Sequence, residues 1–166
     1  VHGEIKLNAF LWPQDNSVKI WNFGSGSRSL EQSLTSEGWR KTVQRNGANN
    51  FLQMLIYMSP EQTGRTTFQP DHRTDLYSLG ITFFVALTQS LPFAHSSPME
   101  IVHNVLNKKL PFVHEVRPET PVAISLIIEK LTNKVCKLKL NEVFANTNHK
   151  KKKNSLQMKD IQVLMV

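Results

Sequence analysis

Cysteine is almost absent: Cys136 is the single one in 166 residues. An intrachain disulfide is therefore excluded, and a reducing compartment is the default. Long apolar runs are absent too. The longest, Ile81 to Leu87, is interrupted by Thr82, and a membrane span takes about 20 such residues. The chain opens at Val1-His2-Gly3 with no Met and no basic or apolar leader, which reads as a fragment with a cytoplasmic location. Metal-ligand spacing is missing: His2, His72, His95, His103, His114 and His149 form no pattern with each other or with Cys136, so no metal site is expected. No internal repeat is present.

At 40% hydrophobic and 20% charged, the composition is that of a folded domain, and the length fits one. The net charge of +7 is uneven. Residues 1–133 hold twelve Lys and Arg against eleven Asp and Glu, whereas residues 134–166 hold eight against two. The basic character therefore belongs to a tail, densest at Lys150, Lys151, Lys152 and Lys153, and not to a face of the fold. Such a run suits a solvated tail or a nucleic-acid patch.

Glu4 to Trp12 alternates loosely, Pro13-Gln14-Asp15-Asn16 is a turn signal, and Ser17 to Trp21 reads as a short strand. Together they predict a small hairpin. Gly24 to Ser29 reads as loop. Residues 30–56 are mixed in polarity and are expected to be long and partly irregular, with Trp39, Phe51 and Leu55 as anchors. Asp75 to Thr88 is apolar nearly all round the helical wheel, which predicts a buried helix, stopped by Leu91-Pro92-Phe93. Ser97-Pro98-Met99-Glu100 predicts a helix start with a capping box. Ile101, Val102, Val105 and Leu106 form its apolar stripe, and Lys108 and Lys109 suit its C-terminal end. Thr120-Pro121 starts another helix by the same logic, with Ala123, Ile124, Ile127, Ile128 and Leu131 as its buried face. After Lys134 the pattern fades.

Val1-His2-Gly3-Glu4-Ile5-Lys6-Leu7-Asn8-Ala9 resembles the protein-kinase catalytic loop, His-Arg-Asp-Leu-Lys-Pro-x-Asn. Eighteen positions after Glu4 comes Asn22-Phe23-Gly24, where that family has Asp-Phe-Gly. Tyr57-Met58-Ser59-Pro60-Glu61 resembles the Ala-Pro-Glu end of the activation segment, and Asp75-Leu76-Tyr77-Ser78-Leu79-Gly80 the Asp-x-Trp-Ser-x-Gly start of the large buried helix. Four matches in order at compatible spacing are a strong signal. Tyr57 to Arg65, Asp71-His72-Arg73-Thr74-Asp75, Leu91-Pro92-Phe93 and Ile101 to Leu110 are similar to the Ser/Thr kinase-like domain of fungal hybrid sensor histidine kinases. The resemblance implies a mainly α fold over residues 1–134: the C-terminal lobe of the protein-kinase-like fold with a small β-hairpin near its start. Residues 135–166 are expected to be a divergent, poorly ordered basic tail. The resemblance also implies ATP and magnesium as family cofactors.

The residues that would carry the chemistry are changed. Phosphoryl transfer rests on positioning and on neutralising phosphate charge. Glu4 stands at the position of the catalytic Asp, one methylene longer, and a displacement near ~1 Å can lower the rate about a hundredfold. Lys6 matches the lysine that steadies the transferred phosphate. Ala9 stands where the family has a metal-binding Asn, with Asn8 one residue early. Asn22 brings a neutral amide where magnesium prefers a carboxylate, and Gly3 replaces the Arg that reads a phosphorylated loop. Gly24-Ser25-Gly26 reads as flexible loop rather than a phosphate nest. By the same resemblance His2, Glu61 and Asp75 are structural. Glu61 would pair with an Arg near position 139, where Lys139 stands without the bidentate fork. The reading is a degenerate kinase-like domain, or pseudokinase, acting with protein partners in signalling. Binding of nucleic acid through the lysine tail, and a decayed gene fragment, are the alternatives.

Overall fold

The computed structural model describes residues 1–11, 13, 17–23, 40–41, 43–44 and 47–134. Trp12, the turn residues Gln14 to Asn16, the loop Gly24 to Ser29, Trp39, Cys136, Lys139 and the lysines 150–153 lie outside them. The described part is mainly helical with one small antiparallel hairpin, as expected. Strand β1 (Phe10–Leu11) pairs with β2 (Lys19–Ile20), placing Phe10 opposite Ile20 and Leu11 opposite Lys19. Both are shorter than the sequence suggests. Residues Leu7–Ala9 form a 3-10 turn, closed by the Ala9 N–H, which bonds the Lys6 carbonyl at 2.9 Å.

Helix α1 spans Ala48–Tyr57, so the last part of the stretch expected to be irregular is regular. Gly47, Asn49 and Asn50 are poor helix formers. Burial of Phe51, Leu55 and Ile56 against the helices that follow outweighs that, as tertiary packing commonly does. A 3-10 turn at Pro60–Thr63 leads on to α2 (His72–Thr88). This helix begins three residues before the expected Asp75, because the Asp71 carboxylate accepts the Arg73 N–H at 2.8 Å and caps it. It ends at Gln89, left-handed at φ 53. Helix α2 is buried on several sides, as its sequence predicts.

Helix α3 (Pro98–Asn107) buries Ile101, Val102 and Val105, and Asn104 beside them. Its expected capping box does not form. The Ser97 N–H that Glu100 would receive is instead given to His95 Nδ1 at 3.1 Å. A single turn, α4 (Val113–Val116), precedes α5 (Val122–Leu131). The cap expected at Thr120 is not made: Thr120 Oγ1 is buried with no hydrogen-bond partner among the described residues. On α5, Ile128 is buried as expected, Ile124, Ile127 and Leu131 are half-buried, and Ala123 is exposed. Ser125 takes the buried place, its Oγ accepting the His114 N–H at 2.9 Å.

The core gathers Phe51, Leu55, Ile81, Ile101, Val105 and Ile128. Each such side chain contributes about 1.5–3 kcal/mol by leaving water. Helices α2 and α5 touch at Gly80, where a Cβ would meet Thr132 Cγ2 at 2.7 Å and Leu131 Cβ at 2.8 Å. Only glycine fits that crossing.

Candidate active site

Asp75, on the first turns of α2, organises the opening loop. Its Oδ2 accepts the His2 N–H at 2.7 Å and its Oδ1 the Gly3 N–H at 2.8 Å. Both bonds are charge-assisted and so among the stronger kind. Gly3 is buried at φ 83, in the left-handed region where a side chain is strained. His2 is buried as well. Its Nε2–H donates to the Trp21 carbonyl at 2.8 Å, and its Nδ1 accepts the Glu4 N–H at 3.3 Å. These two bonds select the Nε2–H tautomer. The Phe23 ring lies 4.7 Å from the imidazole, tilted by 54°. His2 thus joins the loop to the segment that holds Asn22.

Two more α2 side chains continue the support. Ser78 Oγ donates to the Tyr57 carbonyl at 2.9 Å, and Thr82 Oγ1 sits 3.5 Å from the Ile5 carbonyl. Asp75, Ser78 and Thr82 fall at i, i+3 and i+7, hence on one helix face. Gln62 adds a tether, its Nε2 donating to the Gly3 carbonyl at 3.4 Å. Sequence reasoning gave Asp75 a structural role, matched Ser78 only as a motif residue, and assigned no role to Thr82 or Gln62. For Ser78 and Thr82 the available signal was their helical spacing from Asp75 within a largely apolar stretch; Gln62, on the preceding 3-10 turn, offered none.

Glu4 and Lys6 are brought together, with Lys6 Nζ 2.6 Å from Glu4 Oε1 and both side chains half-buried. They face an apolar recess whose other wall is Met54, Tyr57 and Met58. Burial pushes the Tyr57 phenol above its usual range. Within this arrangement the Glu4 carboxylate already holds a cation.

At the metal-ligand positions that the resemblance implies, the residues present do not fit magnesium. Ala9 is 3% exposed and carries only a methyl group. Asn8 is exposed, and its main-chain carbonyl accepts the Trp21 Nε1–H at 2.8 Å. Asn22 is exposed at φ 67, a conformation asparagine tolerates, and offers magnesium a neutral oxygen where a carboxylate is preferred.

Glu61, away from this loop, accepts the Thr74 hydroxyl at 2.8 Å. The expected counter-ion position, Lys139, lies outside the described residues. One helical turn along from Thr74, the Tyr77 hydroxyl is buried with no hydrogen-bond partner among the described residues. Burial first, and the Glu61 charge second, push its pKa well up.

Known proteins share this pattern. The protein kinase domain model matches residues 1–158, running past Lys134. The peroxide stress-activated histidine kinase mak3 of Schizosaccharomyces pombe is 35% identical over 135 residues, covering 81% of this chain and 6% of that protein. The hybrid signal transduction histidine kinase G of Dictyostelium discoideum is 47% identical over 78 residues, 47% of this chain and 2% of its own. The serine/threonine-protein kinase PrkC of Bacillus subtilis is 29% identical over 136 residues, 81% of this chain and 19% of its own. The chain thus spans less than a quarter of each of these curated relatives. With matching motifs, a mainly helical lobe and a family match over most of its length, the chain belongs to the protein kinase domain family.

Proposed function

We propose that this chain is a kinase-domain lobe that no longer transfers phosphate and serves as an interaction module in a signalling protein. The observation that carries this reading is the donor set. Ala9 has no oxygen to give a metal, Asn22 offers only an amide, and Glu4 is already paired with Lys6 at 2.6 Å. Positioning and charge neutralisation are what phosphoryl transfer requires, and each is weakened at its own residue. In this reading residues 1–134 are the lobe and 135–166 a basic tail, and ATP and magnesium are cofactors of the family rather than of this chain.

Protein partners fit the surface. Phe23 is 71% exposed and Trp21 50% exposed, two residues apart at the end of the hairpin. Aromatic side chains are the kind that contact surfaces favour. No helix of the described residues is long and apolar enough to cross a membrane. The test is a thermal melt of the chain with and without ATP and magnesium. Ligand that binds the native state raises the midpoint. A cooperative melt that does not move supports the reading, and an upward shift that requires both ligands overturns it.

A further inference from the structure

Summed over residues 1–133 the charge is nearly balanced, twelve Lys and Arg against eleven Asp and Glu. The fold does not spread it evenly. Helices α3 and α5 end side by side. Lys109, just past α3, pairs with Glu129 on α5 at 2.7 Å. Lys134, just past α5, donates to the Lys108 carbonyl at the exit of α3. Lys130 follows Glu129 along α5. Lys108, Lys109, Lys130 and Lys134 are thereby gathered at one end of the lobe, and the acid that these contacts place among them is Glu129. Cations are favoured at helix C-termini, which is why the chain tolerates them there. Lys108 and Lys130 form no ion pair among the described residues. The Lys109 side chain stays 71% exposed even in its pair. The charge of this end is therefore presented to solvent, so the basic character is not the property of residues 135–166 alone.

Two further observations say what such a surface suits. The first is its chemistry. No Arg follows Arg117, and lysine lacks the planar fork that reads a phosphate or a base edge. The rings beside the lysines are already covered: Lys134 Nζ stands 5.4 Å over Phe93 and Lys109 Nζ 5.3 Å over Phe112. They do not offer the open faces on which single-stranded bases stack. Leu91, two residues before Phe93, is 40% exposed, so an apolar side chain accompanies the lysines. The second is the sequence that continues from Lys134. It carries Lys150 to Lys153 and then the apolar Ile161, Val163, Leu164, Met165 and Val166. Point charges without forks, joined to apolar side chains, match a diffuse negative surface with an apolar interior beneath it.

We propose that the α3–α5 end of the lobe docks on an anionic lipid surface, with the lysine run of residues 150–153 as its second contact. The lysines of the fold face the headgroups and set which side of the lobe lies against them. Each part alone holds weakly, and the two together act as one polybasic contact. This surface is separate from the loop that holds Glu4 and Lys6, so its use does not depend on phosphoryl transfer.

The test is co-sedimentation of the full chain with vesicles of phosphatidylcholine, and of phosphatidylcholine mixed with phosphatidylserine, at low and high salt. Capture by the serine-containing vesicles alone, released by high salt, is expected. Lys108→Gln should weaken that capture ~5-fold, and Lys108→Gln with Lys130→Gln roughly 20-fold, from the worth of each lysine near such a surface. Both variants should melt with the parent, since neither lysine holds an ion pair among the described residues. No capture, or equal capture by both kinds of vesicle, overturns the proposal. So does capture that the double variant leaves unchanged, which would assign the contact to residues 150–153 without the fold. Tighter salt-sensitive binding to single-stranded DNA than to the vesicles overturns it as well and gives the surface to nucleic acid.

Discussion

The main-chain N–H groups of His2 and Gly3 share the Asp75 carboxylate, at 2.7 and 2.8 Å. One side chain on α2 thereby fixes a loop that starts 73 positions earlier. Asp75→Ala removes both acceptors and leaves two largely buried amides unpaired, at about 2–5 kcal/mol in all. Asp75→Asn keeps one oxygen and should lose roughly half as much. Urea midpoints of the two variants measure this, and an Ala variant as stable as the parent would contradict it.

Gly80→Ala tests the α2–α5 crossing. Within an isolated helix the change favours helix by about 1 kcal/mol. Here the added methyl would meet Leu131 Cβ and Thr132 Cγ2 below 3 Å, and overpacking costs about 1–3 kcal/mol. A lower melting temperature is expected. A higher one would mean that α5 moves aside freely.

The α2 cap has a definite pH signature. The Arg73 side chain, hydrogen-bonded to Asp71, is the main cause holding that carboxyl below its ordinary value of 3.8. The folded pKa is depressed, so this contribution is present above about 3.8 and is lost as pH falls through the lower folded value. Asp71→Ala should lose about 1 kcal/mol near neutrality and should show a shallower stability loss on acidification. Parent and variant with parallel acid limbs would contradict the assignment.

Tyr77 and Glu61 make an opposite kind of prediction. The Tyr77 hydroxyl is buried without a partner among the described residues, so Tyr77→Phe should stabilise by about 1 kcal/mol. Glu61→Gln keeps an acceptor for Thr74 and removes a half-buried charge, and should be neutral or slightly stabilising. Chemical denaturation of both reads the sign directly. A loss above about 1 kcal/mol in either would show a cation or donor engaged there in the native state.

Much of the lobe was legible because its signals are local. Helix α2 announces itself by its all-round apolar pattern, and α3 by Pro98 and its stripe. The resemblance of Val1 to Ala9 to a catalytic loop rests on the order and spacing of the motifs that follow it. What stayed hidden depends on partners distant in sequence. Helix α1 has weak propensity at Gly47, Asn49 and Asn50, and forms because Phe51, Leu55 and Ile56 find a core. The Ser97 capping box failed because His95 reached the Ser97 N–H first. Ser78 and Thr82 look like interruptions of an apolar helix until the loop that they hold is in place. The Glu4–Lys6 contact needs the loop's own fold, since residues two apart face one another only when the backbone turns.

The central claim is that Ala9, Asn22 and the Lys6-paired Glu4 leave no working site for phosphoryl transfer. Its most direct test is transfer of labelled phosphate from ATP by the purified chain, with magnesium, to a generic protein acceptor and to itself. The account predicts no transfer above the enzyme-free blank. Magnesium-dependent transfer that disappears in Lys6→Ala would contradict it.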